Sequence, residues 1–332
     1  MVSKIVKGSL KKRGVNVLDV ITIGDGMIAM CPKKRVPIIF SDTFERKIGG
    51  AELNVAIGCA RLGLNTGWIS RLGNDDFGKY ILKTVRGEGI DVSQVEQVDG
   101  YNTSVYFKEV LSDGASRSFY YRANSPTETL NIKDIDEEYF KECKVLHITG
   151  VLPSINEHNR ELILEAIEIA KKHNLTISFD PNIRLKMWTR EEARTFIHKI
   201  LPNVDILLVG DEEIEVLLGH GDISKAIKGF HDYGIKTVVV KRGDKGAVAS
   251  DGKNIYDVDG IKPRALVDTV GAGDGFAAGF LRSIIKGETL ENAVKFANAV
   301  GSIVVGVEGD NEGLPYYEDV LVHMGLSKKV ER

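Results

Sequence analysis

Asp268-Thr-Val-Gly-Ala-Gly-Asp-Gly-Phe-Ala-Ala-Gly-Phe280 sets a carboxylate, Asp274, directly behind three residues with little or no side chain, Gly271, Ala272 and Gly273. The first N–H groups of a helix lack intrahelical partners and carry partial positive charge. A helix beginning near Asp274 would present them, through bare backbone, to an anion. Phe276, Phe280 and Ile284 would line its buried side, and Ala277 and Gly279 would allow close packing. A capping role explains Asp274 by itself. It does not explain the Gly-Ala-Gly before it. Phosphoryl transfer explains both: amides offset charge on the moving group while the carboxylate takes the proton of the attacking hydroxyl. The chain has no G-x-x-x-x-G-K-[ST] loop and no H-R-D or D-F-G set, so the motif is neither a Walker A loop nor a protein-kinase loop.

A second group of residues could recognise an acceptor. In Ser118-Phe-Tyr-Tyr-Arg122 alternate side chains share a face, so Tyr120 and Arg122 project together and Phe119 and Tyr121 project the other way. Tyr106, on a partner run, could join the first pair. Two phenols and a guanidinium suit a small acid, because arginine binds a carboxylate bidentately and tyrosine hydroxyls complete the set. A solvent-facing arginine on an ordinary hairpin is an equal reading of Arg122 taken alone.

These residues need elements to hold them. Leu18–Ile23, Thr66–Leu72, Val145–Ile148, Thr176–Phe179, Ile206–Val209 and Thr237–Val240 read as short apolar strands. Helical patterns alternate with them, from Gly50 to near Gly63, over 75–86, 157–173, 190–200, 211–218 and 222–233, with two long helices closing the chain from about 274 and 289. Continuously apolar strands alternating with helices imply a parallel sheet covered on both faces. Thr103–Leu111 and Ser116–Arg122, joined by the turn at 112–115, break that rhythm as a hairpin. Such a hairpin must lie outside the main sheet or on its edge, as a candidate lid or dimer surface.

The 268–280 segment resembles the C-terminal signature of the PfkB, or ribokinase-like, carbohydrate kinases, and Arg46-Lys-Ile-Gly-Gly-Ala-Glu-Leu-Asn-Val-Ala56 resembles their N-terminal one. The resemblance implies a three-layer α/β/α domain over 18–332 with a mostly parallel central sheet. A small β lid would be formed by segments around 31–48 and 101–123, and residues 1–17 would be a basic tail. By the same resemblance Asp274 is the base and Gly271, Ala272 and Gly273 the anion hole. Gly50 and Asn54 approach sugar hydroxyls, and Lys241-Arg242-Gly243 with Gly246 helps hold ATP. Gly210-Asp-Glu-Glu213 keeps the glutamate of the family's N-x-x-E, which assists Mg2+, but has glycine in place of the asparagine; Asp211 is equally read as a helix cap. The resemblance also raises potassium as a cofactor, beside Asp268 and Thr269.

Within the family, Phe179-Asp-Pro-Asn-Ile-Arg184 with Trp188, Tyr-Tyr-Arg122 before Asn124-Ser-Pro, and Glu308-Gly-Asp-Asn-Glu-Gly313 resemble elements of 2-dehydro-3-deoxygluconate kinases. That resemblance implies transfer of the ATP γ-phosphoryl to the 6-hydroxyl of the sugar acid. Arg184 would bridge substrate and phosphate, Asn182 would border the nucleotide, and Asp310 would bind a sugar hydroxyl. A fructokinase or a 5-dehydro-2-deoxygluconokinase is the alternative within the family, and a non-catalytic sugar-binding relative is another. Outside it stands a dehydrogenase, since Gly24-Asp-Gly-Met-Ile-Ala29 fits G-x-G-x-x-A. Pro32 and Pro37 interrupt the helix that fingerprint needs, so a strand–turn–strand with Asp25 turned toward substrate fits better.

A net charge of −3 argues against nucleic acid or an anionic membrane as partner, and the clusters at 11–13 and 33–35 read as a solvated tail and loop. Cys31, Cys59 and Cys143 are too scattered for zinc or a disulfide framework, which points to a reducing cytoplasm. None of the seven histidines has metal-ligand spacing, and His147 reads as a core residue. The expected partners are a sugar acid, ATP and a second copy of the chain meeting through the lid.

Overall fold

In a computed structural model, residues 17–110, 116–141 and 143–328 are described. The basic tail up to residue 16 and the hairpin turn at 112–115 lie outside them. The chain opens with β1 (Leu18–Ile23), β2 (Met27–Pro32), β3 (Phe44–Gly49), α1 (Ala51–Arg61), β4 (Thr66–Gly73), α2 (Asp76–Gly87) and β5 (Val95–Val98). The hairpin strands β6 (Val105–Val110) and β7 (Ser116–Tyr121) come next, then α3 (Glu138–Lys141) and β8 (Cys143–Thr149). A regular alternation follows: α4 (Glu157–Lys172), β9 (Thr176–Asp180), α5 (Arg190–Ile200), β10 (Ile206–Gly210), α6 (Asp211–Leu218), α7 (Ile223–His231) and β11 (Thr237–Lys241). The last elements are β12 (Ala247–Ser250), β13 (Ile255–Val258), α8 (Ala272–Ile285), α9 (Leu290–Val304) and α10 (Tyr317–His323).

The main sheet runs β13-β12-β11-β10-β9-β8-β1-β4-β5 and is parallel from β11 to β5. Its central strands are apolar on both sides because helices cover both. One face packs Leu162, Phe196, Ile214 and Phe230 of α4 to α7, and the other Val55, Phe280 and Val300 of α1, α8 and α9. The antiparallel edge, β12 and β13, and the short final helix α10 were not anticipated from sequence. Two long helices therefore do not end the chain. His147, in β8, is buried against Ser178 Oγ at 3.0 Å, and burial pushes its pKa down to about 4, so it is a neutral core residue.

The hairpin stays out of the main sheet. Strands β3-β2-β6-β7 form a separate four-stranded sheet, with β6 and β7 antiparallel and Tyr106 directly opposite Tyr120. Strand β2 follows Gly26 at once, where a dinucleotide fingerprint would require a helix. The pyrophosphate-binding helix N-terminus of a dehydrogenase is therefore missing at Gly24–Ala29.

Close packing of α1 on α8 sets the two signatures together. A Cβ on Gly58 would stand 2.7 Å from Ala278 Cβ, so the helices approach as nearly as backbones allow. All three cysteines are buried and free. No helix among the described residues is long and apolar enough to cross a membrane.

Candidate active site

A cleft of about 1520 Å³ runs along the C-terminal ends of β9, β10 and β11, under the small sheet, and past the start of α8. Clefts outside the carboxyl ends of parallel strands are where open α/β sheets bind ligands. At its floor, α8 begins at Ala272, two residues earlier than the sequence suggests. Gly271 is the cap residue, with φ +82°, and Asp274 sits inside the first turn rather than capping it. The local-cap reading of Asp274 is thereby corrected. The amides of Gly271, Gly273 and Asp274 meet no acceptor among the described residues, as an anion hole requires.

Asp274 Oδ2 accepts a hydrogen bond from Asn54 Nδ2 at 2.8 Å across the α1–α8 contact. Burial pushes the carboxyl up to about 7, against the opposing pull of the Asn54 hydrogen bond, and the charge of Asp180 adds to the rise. A carboxylate with a pKa near neutrality is poised to exchange a proton at working pH. Asn54 Oδ1 is buried with no partner among the described residues, free to accept from a ligand hydroxyl. Gly50 has φ +143°, and a side chain there would collide with the Asp25 carbonyl, so only glycine brings the chain this close to the cleft.

The strand ends supply the next layer. Lys241 reaches Asp180 at the end of β9, and its pKa is raised because Asp180 and Glu213 outweigh burial. Glu213 caps its own helix: Oε2 accepts from Gly210 N and Oε1 from Ile183 N, each at 2.7 Å. Burial first, and the Asp180 charge second, push it up to about 7. Asp211 makes no cap through its side chain to the N3 amide; Gly210 occupies the cap position. Asn182 takes φ +42° in the cleft wall and donates its N–H to Asp180 Oδ1 at 3.2 Å. Arg184 lies exposed at the mouth and has no ion-pair partner among the described residues.

Not every expected ligand is free. Arg242, Gly243 and Gly246 line the cleft, but the Arg242 guanidinium is already paired with Asp257 and the Lys245 carbonyl. Tyr106 and Tyr120 stack with ring centroids 5.5 Å apart, over the cleft, as strand alternation predicts. Arg122 joins them there, but its Nη2 is already paired with buried Asp25 at 3.0 Å. The arginine is thus neither a solvent-facing residue nor a free cation. Its Nε remains unpartnered among the described residues. Asp310 is likewise engaged, Oδ2 taking the Tyr106 hydroxyl at 2.6 Å and Oδ1 the Lys108 ammonium at 2.9 Å, while it still lines the cleft. Lys108 escaped sequence reading. Its one signal is position: two residues after Tyr106 on a strand, it must share Tyr106's face.

Residues 18–316 match the sequence model of the pfkB family carbohydrate kinases. The chain is 33% identical to the 2-dehydro-3-deoxygluconokinase of Bacillus subtilis, covering 95% of this chain and 98% of that one. It is 31% identical to the 5-dehydro-2-deoxygluconokinase of Clostridium beijerinckii, over 91% of each. An E. coli protein described as a ribokinase II, solved in complex with ATP and Mg2+, superposes with a TM-score of 0.87 at 28% identity, covering 93% of this chain and 99% of that one. With two signatures joined at one carboxylate and a family match over nearly its whole length, this chain belongs to the pfkB family of carbohydrate kinases, phosphotransferases that act on a hydroxyl group.

Proposed function

We infer that this kinase transfers the γ-phosphoryl of ATP to the 6-hydroxyl of 2-dehydro-3-deoxy-D-gluconate. The observation that carries the reading is the pairing of ends in one cleft: Asp274 and the free amides at one, Arg122 with Tyr106 and Tyr120 at the other. Asp274 takes the proton of the sugar hydroxyl, and the amides of Gly271, Gly273 and Asp274 receive charge on the transferring group. Arg184 and Lys241 add positive charge from the mouth and the strand ends. Gly243, Gly246 and Asn182 border the nucleotide.

Magnesium fits the acidic strand ends. Asp180 and Glu213 stand close enough that one charge raises the other's pKa, while both Glu213 oxygens already serve amides. Such a pair would hold the waters of a cation carried mainly by phosphates, as Mg2+ usually is. Bound there, the ion would neutralise phosphate charge.

The acid-sugar reading rests on Arg122. Removing a charged hydrogen-bond partner costs about 1.5–3 kcal/mol, or roughly 10–100-fold in affinity. Arg122→Ala should therefore raise KM for 2-dehydro-3-deoxygluconate by about that factor while leaving any activity on fructose unchanged. The fructose comparison separates the sugar carboxylate from the loss of Asp25's own partner. An ADP-release screen over acid and neutral hexoses, including 5-dehydro-2-deoxygluconate, tests the substrate directly. A preference for the 5-dehydro sugar, the substrate class in the Clostridium relative's name, would replace this reading.

The small sheet would act as a lid that excludes water, which competes as acceptor. Its outer face carries Phe44, Phe107 and Tyr121 in successive edge-on contacts, with Phe119 exposed beside them and Ile39 and Phe40 exposed on the β2–β3 segment. Apolar surface of that kind suits a second copy of the chain, lid against lid. Wild-type protein should elute as a dimer in light-scattering chromatography and the Phe40→Glu/Tyr121→Glu double variant as a monomer. A monomeric wild type would discard the dimer.

A further inference from the structure

Lys108 lies on β6 with its side chain wholly withdrawn from solvent. An ammonium has three N–H donors. Here they meet Asp268 Oδ2 at 2.6 Å, Asp310 Oδ1 at 2.9 Å and the Gly309 carbonyl at 3.2 Å. Asp268 is itself buried and opens the loop that becomes the anion hole. Its Oδ1 accepts from Val270 N at 3.1 Å, and its Oδ2 also accepts from Gly309 N at 3.2 Å. A buried carboxylate needs a compensating charge. The ammonium supplies it from a different part of the chain, and Asp310 and Asp268 outweigh burial to keep it protonated.

Potassium was the cation expected beside Asp268 and Thr269. Both carboxylate oxygens of Asp268 already accept hydrogen bonds, and Oδ2 also pairs with the Lys108 ammonium. A second cation on Asp268 Oδ2 would lie against an ammonium in a low-dielectric interior, where like charges repel strongly. The residues present do not fit a dissociable monovalent ion.

We propose that Lys108 is a tethered cation, holding the Asp268–Gly271 loop in place of potassium, so that this kinase works without a monovalent ion. The charge arrives with the small sheet, since Lys108 and Tyr106 both reach Asp310 from β6. The inference rests on the anion hole at 271–274 and not on the identity of the sugar.

Two measurements on wild-type protein need no substrate: calorimetric titration with thallium(I), a potassium mimic, and thermal unfolding in KCl against tetramethylammonium chloride at equal ionic strength. Neither should show a response. Turnover on whichever sugar the screen accepts should agree between the two salts within about twofold, below the roughly 5–150-fold typical of coupled sites. Stoichiometric thallium binding, or activation by K+ of about tenfold or more, overturns the proposal. Lys108→Ala opens the cavity and should lose on the order of 10²-fold in kcat. KCl or NH4Cl should then restore turnover and raise its Tm. A variant that is fully active and indifferent to salt also overturns it. If that variant does not fold, the wild-type titration decides. If no sugar is phosphorylated, the kinase-substrate reading fails while the thallium and unfolding results still stand.

Discussion

Asp274→Asn is expected to lower kcat by about 10²–10⁴-fold with little change in KM for either substrate, because it removes a general base and little else. The carbonyl of the substituted amide can still accept from Asn54 Nδ2, so the α1–α8 contact survives. In the wild type the base works only when ionised. With a pKa of about 7 in the unliganded protein, kcat/KM should fall roughly tenfold for each pH unit below neutrality and level off above it. Stability should move the opposite way. Folding raises this carboxyl from its ordinary 3.8 to about 7, so its cost to the folded state is absent below pH 3.8 and complete above pH 7. The neutral variant should therefore melt above wild type at pH 8, by up to about 4 kcal/mol in stability. The gap should narrow toward pH 4. Full kcat in the purified variant, or a pH profile flat down to pH 5, would remove Asp274 from its role.

Gly271→Ala should be nearly as damaging, for a different reason. At φ +82° an alanine costs roughly 1–2 kcal/mol in backbone strain. In addition, its Cβ would overlap the Asp310 carbonyl oxygen, so the loop must shift. Amides displaced from the transferring phosphoryl group cost about 10²–10³-fold in kcat. Gly63→Ala is the control. Its φ is +84° with nothing within 4 Å of the added carbon, so it carries the strain without the overlap and should lose stability alone. Equal kcat in the two variants would separate the loop from the chemistry.

The sequence reveals periodicity and local backbone demand well, and tertiary pairing poorly. The parallel strands and the helices between them were legible because covering helices impose apolar runs on strands and one apolar stripe on themselves. The open start of α8 was legible because bare backbone at Gly271 to Gly273 leaves its first amides uncovered. The start of α8 at Ala272 was missed, since Gly271, in a left-handed conformation, supplies the cap that an aspartate would otherwise provide. The pairing of Arg122 with Asp25, and of Lys108 with Asp268 and Asp310, left no local trace. Strand alternation says which face a side chain occupies, and partners distant in the chain decide whether that face is charged or neutral. Strands β12 and β13 were overlooked because four-residue runs on a sheet edge carry little periodicity.

The amide donor at Asn54 and the acid it serves are separated by 220 positions, and Tyr106 and Asp310 by 204. Loop closure over such distances is slow and comes at the expense of chain entropy. A nascent chain released before α8 emerges therefore carries every strand segment of the main sheet and no catalytic power whatever. Turnover becomes a gauge of whole-chain folding, and regain of activity after dilution from denaturant should lag behind the return of helical circular dichroism.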